Sequence, residues 1–144
     1  MKVAAGDLGV QLQLQEARGP GEFDRAFGAM ARERARALLI VPDAFFSSHR
    51  RQLAELAAKS RLPSIYGGKE YTEAGGLMSY GIDLSDNYRR SAAYVDRILK
   101  GAQPAELPIE QPTRFELAIN MKTAKALGLI IPPSLLLRAD RVIE

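Results

Sequence analysis

Cysteine is absent from the 144 residues, so no disulfide, thiolate nucleophile or cysteine metal site can form. A single histidine is present, and without a cysteine or a second imidazole the usual zinc ligand sets are out of reach. No apolar run approaches the ~20 residues that a membrane-spanning helix needs. The first residues, MKVAAGDLGVQLQ, lack the continuous apolar segment of a secretory leader, so no signal peptide is expected in this chain. Also missing are GxGxxG, a GK[ST] phosphate loop and the G-x-S-x-G of serine hydrolases. Nucleotide binding and a hydrolase triad are thereby left without a motif.

What is present is ordinary for a globular domain: 47% hydrophobic and 26% charged residues, in a chain long enough to bury a core. The formal charge is +3. Arg32, Arg34 and Arg36 are interleaved with Glu33, and Arg50, Arg51 and Lys59 share a helix with Glu55. These are solvated helix faces, and no nucleic-acid partner is expected.

Along the chain, residues 10–16 (VQLQLQE) alternate apolar and polar side chains, which predicts a half-buried strand. Phe23, Phe27 and Met30 recur at helical spacing and predict a helix over 22–34. The run 37–41 (ALLIV) and the segment 62–66 (LPSIY) predict short strands covered on both faces. Between them Ser47 or Ser48 can cap a helix with Leu53, Leu56 and Ala57 inward. Residues 69–74 allow one helical turn, and 77–80 predict another strand. Ser85 or Asp86 can cap a helix whose stripe is Tyr88, Ala92, Val95 and Leu99, stopped at Gly101. A linker, a strand over 115–119, a short helix capped by Asn120 and a final helix over 134–143 complete the chain. Strands alternating with amphipathic helices predict an α/β fold, a Rossmann-like parallel sheet with helices on both faces.

In such sheets ligands bind beyond the carboxyl ends of the strands. Three ends bring candidate groups: Asp43 and Phe45 after the second strand; Gly67, Gly68, Lys69 and Tyr71 after the third; Ser79, Tyr80 and Asp83 around the fourth. Carboxylates, hydroxyls, aromatic faces and backbone amides suit a small polar or amphipathic solute. Each has a plainer reading. Asp43 can serve only as a cap, Tyr66 and Tyr80 as core residues, the glycine pairs as turns, and His49 as a surface residue. Glu73 and Asp83 could pair as carboxylates, but no converging acid, base and nucleophile set is visible. No catalytic residue, metal or cofactor is expected, and the chain reads as a binding protein rather than an enzyme.

The segments GGLMSYG, YVDRILKGAQPAELPIEQPT and FELAINMKTAKALGL, together with FDRAFGAMARERARALLIVPD and HRRQLAELAAKSRLPSIYG, resemble the ABC-transporter substrate-binding family related to tryptophan- and tyrosine-binding lipoproteins. The match runs over nearly the whole chain and resembles that family's C-terminal half. The resemblance implies one lobe of a type I periplasmic binding protein plus hinge-crossing elements. On that reading residues 1–84 are the second lobe, incomplete at its start, where 3–9 look like the tail of a helix. Residues 85–107 are a helix and linker that pack on a first lobe, and 108–144 hold the hinge-crossing strand and terminal helices.

The same resemblance implies a solute-binding component of an importer, periplasmic or anchored as a lipoprotein. Its partners would be a small solute such as an aromatic amino acid and an ABC permease. Ligand-binding residues would be Asp43, Phe45, Tyr71, Ser79 and Tyr80. Two alternatives stay open: an effector-sensing domain of a transcription regulator, and a small α/β enzyme. A lone lobe would bare the stripe on residues 88–99, and self-association into a homo-oligomer is expected.

Overall fold

A computed structural model describes residues 2–144. In chain order the elements are α1 (Lys2–Asp7), α2 (Phe23–Arg32), β1 (Leu38–Ile40), α3 (Ala44–Ser48), α4 (Arg50–Lys59), β2 (Ser64–Tyr66), α5 (Lys69–Glu73), β3 (Met78–Ile82), α6 (Leu84–Leu99), β4 (Phe115–Asn120), α7 (Met121–Ala126), α8 (Pro133–Leu136) and β5 (Arg141–Ile143). The strands form one five-stranded sheet in the order β1-β2-β3-β4-β5. β1, β2 and β3 run parallel, β4 runs antiparallel to β3, and β5 is parallel to β4.

The α2 helix forms because Phe23, Ala26, Phe27 and Met30 share one face, and all four are buried. They pack with Leu53 and Ala57 of α4, Ile40, Tyr66 and Tyr71 in the main core. A second cluster gathers Leu77, Ile119, Ala124 and Ile131 around β4 and α7. Both α2 and α4 end in a left-handed residue, Arg34 at φ 56° and Arg61 at φ 51°. The bonds Ala35 N–H to Met30 O and Leu62 N–H to Ala57 O close each end. Between the clusters runs a buried polar chain. The Thr72 hydroxyl donates to Ser79 Oγ at 2.9 Å, Asn120 Nδ2 donates to the Thr72 carbonyl at 3.1 Å, and Thr123 Oγ1 donates to the Gly75 carbonyl at 2.9 Å.

Several sequence expectations need correction. Residues 10–16 form no strand; Val10 and Leu14 are exposed, and the Gln13 amide donates to the Glu33 carbonyl. Among the described residues no neighbouring strand offers the ladder that the alternation would need. The final helix is only Pro133–Leu136, and the chain then turns into β5 beside β4. The sheet is mostly parallel rather than wholly so, because β4 returns antiparallel against β3. Two helix caps differ from expectation: Ser47 and Ser48 lie inside the short α3 that Asp43 caps, so α4 starts after His49 without a side-chain cap, and Asp83, not Ser85 or Asp86, caps α6.

Candidate functional site

Because β1, β2 and β3 are parallel, their carboxyl ends share one edge of the sheet, and the antiparallel β4 brings its start to the same edge. Backbone packing draws these tips together. A Cβ on Gly81 would lie 1.9 Å from the Gly67 carbonyl oxygen, and one on Gly67 would lie 2.3 Å from Pro42 Cγ. Any side chain there would push the loops apart, so glycine is required at both positions.

Charged groups rise beside this backbone floor. Lys69 Nζ is 2.9 Å from Glu116 Oε2, joining the loop after β2 to the start of β4. Both side chains are largely buried, at 27% and 19% exposure. The hydrogen bond to Glu116 holds the Lys69 ammonium above its ordinary pKa, aided by the charges of Asp83 and Glu70. Asp83 accepts from the Ser85 and Asp86 amides at 3.0 and 3.3 Å. The Asp86 amide is the first cause of its lowered pKa, with Lys69 nearby adding to it.

The five expected ligand residues are not gathered on one surface. Asp43 lies at the tip of β1, but its Oδ1 is taken by the Phe45 and Phe46 amides at 2.7 and 3.4 Å. Phe45 is half-buried among Phe23, Phe46 and His49, with ring centroids 5.7, 5.4 and 4.8 Å away. The His49 ring is therefore a half-buried member of an aromatic cluster rather than a free surface group. Tyr71 is buried and stacks on Tyr66 at 4.6 Å. Burial pushes both phenols above their ordinary pKa, against a lowering from Ser64 near Tyr66 and Ser47 near Tyr71. Among the described residues no well-formed hydrogen bond reaches either hydroxyl. Ser79 is fully buried and faces Thr72.

Of the five, Asp43 and Tyr80 are exposed, and Tyr80, at 55%, is the exposed aromatic. Its ring stacks on Phe115 of β4 at 5.5 Å and 18°, and Phe115 is itself 47% exposed. The register Tyr80–Leu117 and Ile82–Phe115 makes the two aromatics diagonal neighbours on one face. Phe115, Lys69 and Glu116 thus belong to this edge with Tyr80. Phe115 and Glu116 carry no local signal, since only the long-range β3–β4 pairing sets them there. Glu73 does not pair with Asp83; its partner is Arg141 at 2.8 Å. Among the described residues no group of His, Cys, Asp and Glu could hold a metal ion.

A concavity of about 610 Å³ lies between α6 and the strap of residues 104–112. Its walls are joined by Tyr94 Oη donating to the Pro108 carbonyl at 2.7 Å and by the Arg90–Glu110 ion pair.

The profile of the ABC transporter substrate-binding protein family matches residues 1–143. Among solved structures, the chain is similar to an ABC domain in complex with L-Trp from Streptococcus pneumoniae, at 27% identity and a TM-score of 0.90, over 99% of this chain and 48% of that one. It is equally similar to a conserved domain protein from Vibrio cholerae O1 biovar El Tor, at 27% identity and 0.89, over 98% and 47%. A ligand-free, open substrate-binding protein with adhesive properties from Clostridium difficile shares the fold at 18% identity and 0.70, over 99% and 47%. The chain thus spans about half the length of each. No curated protein matches it.

Proposed function

The chain belongs to the ABC transporter substrate-binding protein family, and from that premise we propose that its strand tips form one wall of a cleft for an amino-acid solute. The family is one of binding proteins, not enzymes, and its members typically work outside the cytoplasmic membrane. Among the described residues no helix is long and apolar enough to cross a membrane.

The observation that carries the reading is the edge at the strand tips, where the exposed Tyr80–Phe115 pair stands on one face of the sheet and the Lys69–Glu116 ion pair on the other, beside the Gly67–Gly81 contact. The exposed aromatic pair offers a stacking surface. Lys69 and Glu116 offer the two charges that a solute's carboxylate and ammonium require. The L-Trp held by the Streptococcus pneumoniae relative supports an aromatic amino acid as solute. Of the residues expected from the sequence, Tyr80 contacts the solute in this reading. Asp43, Phe45, Tyr71 and Ser79 shape the wall from behind.

Residues 1–84 are then one lobe, 85–107 reach towards a second, and 108–144 cross back through the hinge. Solute bound between two lobes favours their closed arrangement, which a membrane permease reads before accepting the solute. The whole protein would act in the periplasm or as an anchored lipoprotein. A single wall binds weakly, because half of the solute's contacts are absent.

The test is ligand-observed NMR on this chain with L-tryptophan, L-tyrosine, L-lysine and a hexose. Saturation should pass to the aromatic amino acids alone, with affinity about tenfold lower in Lys69→Met and largely kept in Lys69→Arg. Transfer to the hexose, or none to any amino acid at high concentration, contradicts the assignment.

A further inference from the structure

The end of the sheet opposite the tips gathers cations. Helices α2 and α4 pack together in the main core, and each leads directly into a strand, β1 and β2. The starts of those strands are neighbours: the Leu38 amide donates to the Pro63 carbonyl at 2.8 Å, and Leu38 pairs with Ser64. The two connections, residues 32–36 and 59–61, therefore lie side by side, at the about 8–10 Å separation of packed helices. They carry Arg32, Arg34, Arg36, Lys59 and Arg61 against one carboxylate, Glu33. All five cations are exposed, and among the described residues none of them joins an ion pair. The formal charge of the whole chain is only +3, so the positive excess is concentrated here. On the two-lobed reading a second lobe faces the tips, at the other edge of the sheet, and does not cover this end.

Two of these arginines stand where the backbone favours another residue. Among the described residues Arg34 and Arg61, at φ 56° and 51°, are the two non-glycine residues in the left-handed region. Each closes its helix, a role that glycine fills with the least strain. Complementing the helix dipoles does not require them, because Arg32 and Lys59 already occupy the last turns. Arginine at a strained position, twice and on adjacent connections, points to a use for the guanidinium group.

We propose that this end of the sheet is an adhesion surface for an anionic lipid bilayer. Arginine predominates among the five cations, and its planar fork suits phosphate oxygens. Between the cations lie only Glu33, Ala35 and Ser60, so the apolar centre of a protein interface is lacking. Fluid phosphodiester headgroups need no such centre. The choice of a bilayer over a nucleic acid rests on the family, whose members typically work outside the cytoplasmic membrane. Docking through this end turns the tips of the sheet away from the lipid, and it does not depend on which solute the tips take.

Each cation that reaches an anionic surface strengthens binding about fivefold. The expected contact is peripheral and reversible, and it weakens as salt shortens the Debye length below ~10 Å.

The test is co-sedimentation of this chain with vesicles of phosphatidylglycerol and phosphatidylcholine, against vesicles of phosphatidylcholine alone. The chain should bind the anionic vesicles only, and added salt should release it. Arg34→Gly with Arg61→Gly keeps the left-handed turns and should bind about 25-fold more weakly, with no fall in melting temperature. Arg36→Gln with Lys59→Gln should lose a similar amount without touching either turn. Arg50→Gln with Arg51→Gln, at the start of α4 beside the tips, should bind as the unmodified chain does. Equal binding to neutral vesicles, no binding to anionic ones, or indifference to both basic-end variants overturns the proposal. So does equal retention on double-stranded DNA at the same salt, or inorganic phosphate competing better than chloride at equal ionic strength.

Discussion

Ser79 shows how far a residue's chemistry can be separated from its position in sequence. Beside a tyrosine and a glycine at a strand tip, its hydroxyl suits a ligand. The strand's two-residue period instead turns Ser79 inward and Tyr80 outward. Its oxygen accepts from Thr72, whose own carbonyl accepts from Asn120. Ser79→Ala should therefore cost about 1–3 kcal/mol, the expense of a buried hydroxyl left without an acceptor, while leaving solute affinity unchanged. Chemical denaturation paired with a solute titration checks both halves. A loss of affinity without a loss of stability would return Ser79 to the cleft. Gly67 and Gly81 are legible as turn residues, but their reason is contact between two loops that no local pattern discloses.

Elements defined by their own periodicity were readable from the sequence, as α2, α4 and α6 illustrate. Strands were readable only where a partner existed. The alternation over 10–16 says which side chains a strand would bury, but among the described residues no neighbour completes its ladder. Conversely, Arg141–Ile143 has no strong strand pattern of its own. It becomes β5 because β4 lies beside it and because Asp140 exchanges two bonds with Leu117, accepting from its amide through Oδ2 and donating to its carbonyl.

The cap of α6 carries a pH dependence. Asp83 has a lowered folded-state pKa, chiefly through the Asp86 amide. Its contribution is complete above the ordinary carboxylate value and is lost as pH falls through the lowered one. Acidification should thus unwind the first turn of α6. Asp83→Asn, which keeps an effective capping group, should remove that acid transition. Amide shifts of residues 84–88 between neutral and acidic pH would report it. An unchanged transition in Asp83→Asn would assign it to another group.

At the scale of the whole molecule, an edge and a helix both point outwards. The tips of the sheet gather aromatic and charged groups at a backbone floor, while α6 leaves the lobe with no buried side chain. Neither feature is explained by the stability of this chain alone. Both suit a protein that works against a facing surface, and the chain spans about half the length of its solved relatives. The fold class followed from strand–helix alternation, whereas the return of β4 and the composition of the edge depend on contacts distant in sequence.

The most direct measurement is a nitrogen-15 chemical-shift map of this chain titrated with L-tryptophan. The account predicts progressive, weak-binding shifts confined to Gly67, Gly68, Lys69, Tyr80, Gly81 and residues 115–116. Shifts centred on the groove between α6 and the strap, or no shifts at saturating solute, would contradict it.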